Sequence, residues 1–140
     1  MSATIPEITP REALESLELL VGTWRLDGPD LEGQATFEWM EGGAFLIQHL
    51  DLIHAGTWHK GIEVIGYDEE TCSLRSRYYD NSGMVLEYEW EINGDLLTIW
   101  FGRRGSENRF RGEISADGDS CTGAWSTPGG GYEARMTRIA

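Results

Sequence analysis

From Val21 onward the chain consists of short runs in which apolar and polar residues alternate, separated by residues typical of tight turns. Alternation of this kind puts successive side chains on opposite faces of a β-strand. The clearest run covers residues 84–92, where every second position is apolar: Met84, Leu86, Tyr88, Trp90 and Ile92. Turn signals such as Asn93-Gly94 divide this part of the chain into about ten antiparallel strands.

One segment before Val21 follows a helical period instead. Thr9-Pro10-Arg11-Glu12 has the pattern of a capping box with proline at the first helical position. Leu14, Leu17 and Val21 then share one face. The pattern predicts one short helix over about residues 10–20 and a barrel over about 21–139. An up-and-down antiparallel meander of this many strands is expected to close, because closure removes exposed edges. The fold expected is therefore all-β, in a single domain, 1–140.

Composition narrows the class of protein. The formal net charge of −13 disfavours nucleic acid and anionic membrane surfaces as general partners. No apolar run is long enough to span a bilayer as a helix, and the first residues resemble no secretory signal, so a cytoplasmic location is expected. Cys72 and Cys121 form neither a disulfide framework nor a zinc motif, and we expect both to be buried, reduced thiols.

Assumed turn lengths give the register of neighbouring strands, and the register gives the faces. Two-residue loops at Glu69-Glu70 and Asn93-Gly94 predict Ser76 opposite Glu63, and Tyr88 opposite Ile99. Extending this around the barrel predicts an inward row that is apolar at its ends and polar in its middle: Phe37, Gln48, Glu63, Ser76, Tyr88, Ile99, Phe110 and Trp125. A neighbouring apolar row contains Trp90, while His59, Tyr78 and Asn108 are expected near the open mouth.

Glu63 is the most informative residue of this set. A lone buried carboxyl group must be hydrogen-bonded, paired or protonated, because burying a charge is costly. It could anchor a ligand's polar end, act as a general acid or base, or belong to a satisfied structural network. The predicted ligand-binding residues are Phe37, Gln48, His59, Glu63, Ser76, Tyr78, Tyr88, Trp90 and Asn108.

The predicted outer face is unusually apolar, and it includes Phe45, Ile47, Trp58, Ile62 and Val64. Either a partner covers this patch or the faces are reversed there, and a homodimer is the simplest partner. Asp51 and Lys60 are expected to form a solvated cross-strand ion pair, with His49 nearby. Arg103 and Arg104 are placed at the mouth. No histidine spacing indicates a metal site.

Gly22-Thr23-Trp24 stands where the helix gives way to the first strand, within "LLVGTWRLDG". This resembles the lipocalin and calycin barrels, in which Gly-x-Trp opens the first strand and an arginine from the last strand packs over the indole. The resemblance implies that Trp24 plugs the barrel floor beneath Arg138, the better candidate of Arg135 and Arg138. The stretches "HKGIEVIGYDEE" and "YYDNSG" are also similar to small bacterial lipocalin-like proteins of uncharacterised function.

The calycin resemblance implies binding of small hydrophobic ligands, with haem proteins or enzymes as a minority. The haem-binding nitrobindins also begin with Gly-x-Trp but ligate iron through a histidine far along the chain. The histidines here are His49, His54 and His59, and none follows. We therefore expect no haem and no other cofactor.

Three functions remain open from the sequence. The first is binding of a small, mostly hydrophobic ligand with a polar end inside the barrel. The second is a small barrel enzyme that uses the interior Glu, Tyr and His residues for proton transfer, although no specific catalytic motif is present. The third is a structural domain whose interior is filled by its own side chains.

Overall fold

The computed structural model describes residues 8–140. A helix, α1 (Pro10–Ser16), continues into a 3₁₀ turn, Leu17–Leu20. Ten strands follow: β1 (Gly22–Gly28), β2 (Leu31–Trp39), β3 (Phe45–His54), β4 (Thr57–Asp68), β5 (Ser73–Asp80), β6 (Val85–Asn93), β7 (Leu96–Phe101), β8 (Arg109–Ile114), β9 (Ser120–Thr127) and β10 (Gly130–Arg138). Within residues 8–140, no helix is both long and apolar enough to cross a membrane.

The ten strands form a closed antiparallel barrel in which each strand pairs with its neighbours in the chain and β10 pairs back onto β1. This confirms the predicted fold class and strand number. The helix and the β2–β3, β4–β5, β6–β7 and β8–β9 connections lie at one end, which we call the floor. The other five connections lie at the opposite end, which we call the mouth.

The floor is closed by the helical segment and by Trp24. Thr9 caps α1 in a complete capping box with Glu12, as its sequence predicts. Trp24 is 1% exposed, and its indole N–H donates to the carbonyl oxygen of Leu20 at 2.8 Å. Leu17 and Leu20 are buried in the same apolar cluster. The capped helical segment therefore covers one end of the barrel with apolar side chains.

Four predicted registers agree with the structure. Gln48 pairs with Phe37 and with Glu63, Ser76 pairs with Tyr88, and Phe110 pairs with Trp125. The inward faces of these strands are therefore those that the alternation predicted.

Two predicted registers are wrong by two residues. Glu63 lies opposite Tyr78 rather than Ser76, and Tyr88 lies opposite Phe101 rather than Ile99. In the first case the loop has four residues, 69–72, because the Thr71 hydroxyl bonds Asp68 and Ser73 and Cys72 adopts a positive φ of 53°. In the second, Asn93 pairs with Leu96, so the loop begins at Gly94. A two-residue error keeps every side chain on its predicted face.

Two other expectations about surface residues are wrong. Cys121 is buried, but Cys72 is exposed in the β4–β5 loop. Arg104 does not face the mouth: its side chain folds over the outer surface, 4.7 Å from the Trp100 ring centre, and pairs with Glu89 and Glu91. The apolar Trp100 face and the two carboxylates together attract this guanidinium more strongly than open solvent at the rim.

Candidate functional site

The barrel encloses a cavity of about 260 Å³. It extends from Leu20 at the floor to Met84 in the β5–β6 loop at the mouth. Seven of the nine predicted ligand-binding residues line it: Phe37, Gln48, His59, Glu63, Tyr78, Tyr88 and Trp90. The position of these side chains is thus observed, whereas their contact with a ligand stays a prediction.

The other two predicted residues do not reach the cavity wall. Ser76 is buried behind Glu63 and Trp90, and it takes part in the site only through hydrogen bonds to them. Asn108 lies in the β7–β8 connection, where its carbonyl oxygen accepts from the backbone N–H of Phe101. Asn108 therefore lies at the mouth end of the barrel, but it does not line the cavity.

Glu63 is the centre of a buried hydrogen-bond network and is 6% exposed. Its Oε1 accepts from the amide nitrogen of Gln48 at 3.1 Å. Its Oε2 accepts from the Ser76 hydroxyl at 2.5 Å and from the Trp90 indole N–H at 3.1 Å. The indole N–H also lies 2.8 Å from the Ser76 oxygen. Three strands other than that of Glu63 therefore hold this carboxyl group in place.

Burial dominates the protonation of this carboxyl group. It raises the pKa of Glu63 from 4.5 to about 7, while the hydrogen bonds from Ser76 and Trp90 act in the opposite direction. Among the described residues, no lysine or arginine lines the cavity to offset the negative charge. Glu63 is thus a carboxyl group that changes charge near neutral pH inside a mainly apolar enclosure.

A second polar cluster lies nearer the mouth and joins Tyr78, Asp80 and His59. The Tyr78 hydroxyl donates to Asp80 Oδ1 at 2.5 Å, and His59 Nδ1 lies 3.2 Å from the same oxygen. Hydrogen bonds from Ser82, Tyr78 and His59 outweigh the opposing effect of burial and lower the pKa of Asp80 to about 2. Because Asp80 is ionised and can only accept, His59 donates to it from Nδ1.

Gly61 makes room for this cluster. A Cβ atom there would lie 2.6 Å from Tyr78 Cε1 and 2.2 Å from the carbonyl oxygen of Tyr79. The Tyr78 ring can therefore lie across the backbone of β4 only because position 61 has no side chain. Desolvation and Asp80 together raise the pKa of Tyr78, so its phenol stays protonated at neutral pH.

Asp80 is the functional-site residue that the sequence analysis missed. It belongs to the end of β5 and has the same parity as Ser76 and Tyr78, so alternation could have placed it inside. The sequence analysis did not single it out as an inward or functional residue. His54, Trp125 and Tyr132 also line the cavity without having been predicted as site residues.

The floor has the geometry that the resemblance implied. The guanidinium of Arg138 lies over the Trp24 ring, and it donates to the carbonyl oxygens of Leu19 and Val21. Arg138 thereby ties β10 to the turn that leads into β1. Gly22 allows this approach, because a Cβ atom there would lie 2.6 Å from the Arg138 Nη1 atom.

The apolar residues predicted for the outer face are on the outer face. Trp58 is 55% exposed, and Phe45 and Ile62 are also exposed, while Ile47 and Val64 are half-buried. The alternative of reversed faces is therefore wrong. The homodimer that would cover the patch stays a prediction.

Asp51, which was expected to form an ion pair with Lys60, is hydrogen-bonded to Trp58 instead. Asp51 lies opposite Lys60 as predicted, but its Oδ1 accepts from the Trp58 indole N–H at 2.9 Å. His49 pairs with Glu38 across β2 and β3 at 3.0 Å. These residues therefore form separate surface contacts and no joint site.

The histidines give no indication of metal binding. His49 lies on the outer face, whereas His54 and His59 line the cavity. Across residues 8–140, no group of three or more His, Cys, Asp or Glu side chains is placed to hold a metal ion.

The chain matches no protein-family model, and its sequence matches no curated protein.

Proposed function

We propose that this protein binds a small, mostly apolar molecule inside the barrel and holds the polar end of that molecule at Glu63 and Gln48. The observation that carries the proposal is the 260 Å³ cavity, whose apolar wall contains one buried carboxyl group. Small-molecule sites typically combine an apolar lining with a few fixed polar groups. The Gly-x-Trp start and the Arg138 contact support a place among the calycin-like binding barrels, and the proposal includes a cytoplasmic location.

The size of the cavity limits the occupant. Pockets for drug-sized molecules measure about 300–1,000 Å³, and this cavity measures about 260 Å³. One aromatic ring with a short tail, or a short alkyl chain, fits that space. The cavity also argues against an interior filled entirely by its own side chains.

Binding is favoured over catalysis because Glu63 and His59, the acid and the imidazole of the cavity wall on β4, are far apart. Glu63 and His59 share one face of β4 and are four residues apart, so their Cα atoms are separated by about 13 Å. A proton relay between them across a single small substrate would need groups within hydrogen-bond reach of the same atoms. The two clusters instead suit separate tasks, with one holding a polar end and the other shaping the mouth.

The proposal is tested by filling the cavity. Ala134 lines the cavity on β10, and Ala134→Phe would place a ring in the space that a ligand needs. Ala124 on β9 faces the outer surface, and Ala124→Phe is the matched control. Binding of 2-phenylethanol and hexan-1-ol is measured by calorimetry, together with a thermal unfolding scan of each variant.

We expect the parent chain and Ala124→Phe to bind at least one probe, and Ala134→Phe to lose that binding while remaining folded. Binding that persists in Ala134→Phe would overturn the proposed location. If the parent chain binds no member of an apolar panel, the function itself is wrong and a structural role is left. Chemical conversion of a bound probe would favour the enzyme.

A further inference from the structure

We propose that the polar end of the ligand is an ammonium group, so that the cavity takes a small primary amine with an apolar body of one ring or a short chain. This inference rests on the proposed binding function and specifies its ligand class. It follows from the acceptors left open at Glu63 and Gln48 and from the absence of lysine and arginine from the lining of the described cavity.

The hydrogen bonds at Glu63 leave room for one more donor. A carboxylate offers about four acceptor positions. Three of them are filled at Glu63, by Gln48 on Oε1 and by Ser76 and Trp90 on Oε2. The open position is on Oε1, and Glu63 lines the cavity. A ligand that donates a hydrogen bond can fill the last acceptor position of this carboxylate, whereas a ligand that only accepts hydrogen bonds cannot.

Gln48 adds a second acceptor beside the first. Its amide nitrogen donates to Glu63, its side chain lines the cavity, and its carbonyl oxygen is not used in the bond to Glu63. In the described part of the chain, no fully buried side-chain oxygen or nitrogen is without a partner, so this oxygen retains access to the cavity. An ammonium group has three donors and can bond both oxygens at once.

The charge of the site determines which kind of polar group a ligand can place beside Glu63. Glu63 has no lysine or arginine partner among the cavity-lining residues, and the buried Asp80 adds a second negative charge toward the mouth. A carboxylate or phosphate ligand would meet repulsion from Glu63 here, and no lysine or arginine of the cavity wall compensates its charge. A cation supplies the missing partner. The net charge of −13 also draws cations toward the protein.

Aromatic rings border the same space. Trp90 bonds Glu63 directly, and Tyr88 packs edge-to-face with Trp125 at a centroid distance of 6.0 Å. Phe37 and Phe110 line the cavity below them. Ring faces attract a cation, and they also pack well against an aryl or alkyl body.

Binding of an amine is then coupled to the proton on Glu63. The side chains facing Glu63 from neighbouring strands are Gln48 on β3, Ser76 and Tyr78 on β5, and Tyr88 and Trp90 on β6. The tyrosine phenols are neutral at pH 5–8, since burial raises the pKa of both. The cavity wall has three other titratable groups: His54 on β3, His59 on β4 and Tyr132 on β10. All three lie toward the mouth end of their strands. Glu63 is therefore the group whose ionisation an ammonium ligand would require.

The experiment compares three probes of similar shape: 2-phenylethylamine, 2-phenylethanol and phenylacetate. Calorimetry at pH 8 measures the affinity of each for the intact protein. The amine titration is repeated down to pH 5 and, at pH 6, in buffers of different ionisation enthalpy, which reports the protons released on binding.

We expect the amine to bind most tightly and phenylacetate not to bind. Amine affinity falls by about 100-fold from pH 8 to pH 5, because Glu63 with a pKa near 7 becomes protonated while a primary amine stays charged. The affinity for 2-phenylethanol changes by less than about threefold, since a neutral ligand has no charge to pair. Close to one proton is released per amine bound at pH 6.

Glu63→Gln keeps the shape of the side chain and removes its charge. We expect it to weaken amine binding by roughly 10- to 150-fold, the range for a hydrogen bond to a charged group, and to abolish the pH dependence. Retained binding of 2-phenylethanol shows that this variant is folded. Glu87→Gln is the matched control, because Glu87 is an exposed carboxylate on the outer face of β6 and the substitution changes the net charge equally.

Each other outcome decides a separate point. If 2-phenylethanol binds as tightly as the amine at pH 8, or if Glu63→Gln leaves amine binding unchanged, the ammonium inference is wrong and the cavity-binding function survives. If Glu87→Gln weakens amine binding as much as Glu63→Gln, long-range attraction explains the preference and the site is wrong. If neither 2-phenylethylamine nor 2-phenylethanol binds, and no other apolar probe binds, the proposed function is wrong.

Discussion

The guanidinium carbon of Arg138 lies 4.2 Å from the centre of the Trp24 ring, and it joins the last strand of the barrel to the first. The same side chain bonds the carbonyl oxygens of Leu19, Val21 and Gly118 and pairs with Asp119. These contacts tie together the helix end, β1, β10 and the β8–β9 loop. The floor of the barrel is therefore closed by one cation as well as by apolar packing.

Replacing Arg138 is expected to destabilise the barrel. Arg138→Ala removes the stacking contact and leaves several carbonyl groups without their donor, so we expect the free energy of unfolding to fall by about 2–4 kcal/mol. Arg138→Lys restores only part of this, because lysine lacks the planar fork of donors. Urea denaturation measures the free energy of unfolding of both variants. Arg11→Ala is the control, because the exposed ion pair between Arg11 and Glu15 is expected to contribute less than about 0.5 kcal/mol.

Glu63 is expected to make stability fall as pH rises. Its folded-state pKa of about 7 lies above the ordinary value of 4.5, so the folded protein binds the proton more tightly than the unfolded chain. The resulting stabilisation is complete below about pH 4.5 and is lost as pH rises through 7. The shift corresponds to about 3 kcal/mol. Denaturant midpoints of the parent chain and Glu63→Gln, measured from pH 5 to pH 8, should converge at low pH and diverge in favour of the variant at high pH. Parallel curves would contradict this.

Gly61→Ala is expected to disrupt the cluster at the mouth. The new methyl group would collide with the Tyr78 ring and with the backbone of Tyr79, and overpacking of this kind costs about 1–3 kcal/mol. Displacement of Tyr78 would also remove its hydrogen bond to Asp80. Thermal unfolding measures the first effect, and the ring resonances of His59 in NMR spectra report the second. Gly129→Ala, where no atom lies within 4 Å of the new carbon, is the control and should leave both unchanged.

We predict that the protein forms a homodimer through the apolar residues of its outer face: Phe45, Ile47, Trp58, Ile62 and Val64. The indole of Trp58 is held on this surface by its bond to Asp51, so it offers an ordered apolar ring to a second copy. Analytical ultracentrifugation of the parent chain is expected to show a dimer that Trp58→Glu converts to a monomer. Arg103→Glu, at an exposed position in the β7–β8 connection, should leave the dimer intact. A parent chain that is monomeric at millimolar concentration would exclude the interface.

Alternation was sufficient to place Gln48, Glu63 and Trp90 inside the barrel, because side-chain parity survives an error of two residues in register. What it could not supply was the length of the β4–β5 loop and the position of the two-residue β6–β7 loop. The four-residue loop before Ser73 depends on side-chain bonds of Thr71 and on the positive φ of Cys72, and neither is coded by a glycine or proline signal. The diagonal bond between Glu63 and Ser76 was therefore predicted as a directly opposite pair.

The mouth was harder to predict than the middle of the barrel. Asp80 precedes a turn, and turn composition alone does not show that its carboxylate bends inward to Tyr78 and His59. Arg104 was assigned to the mouth by its place in the chain, yet Trp100 and two glutamates hold it on the outer surface. Side-chain contacts of this kind decide where loop residues lie, and they do not follow from strand period.

The indole of Trp90 is bonded directly to the carboxyl group that changes charge near neutral pH. Light absorbed by that ring is emitted at a wavelength that depends on the charge beside it. The protein therefore contains a built-in optical indicator of the state of its own cavity. Comparison with Trp90→Phe identifies the fluorescence that comes from this ring. That fluorescence is expected to change with a midpoint near pH 7 and to respond to a bound cation. Ligand occupancy of the cavity could therefore be followed without attaching a dye.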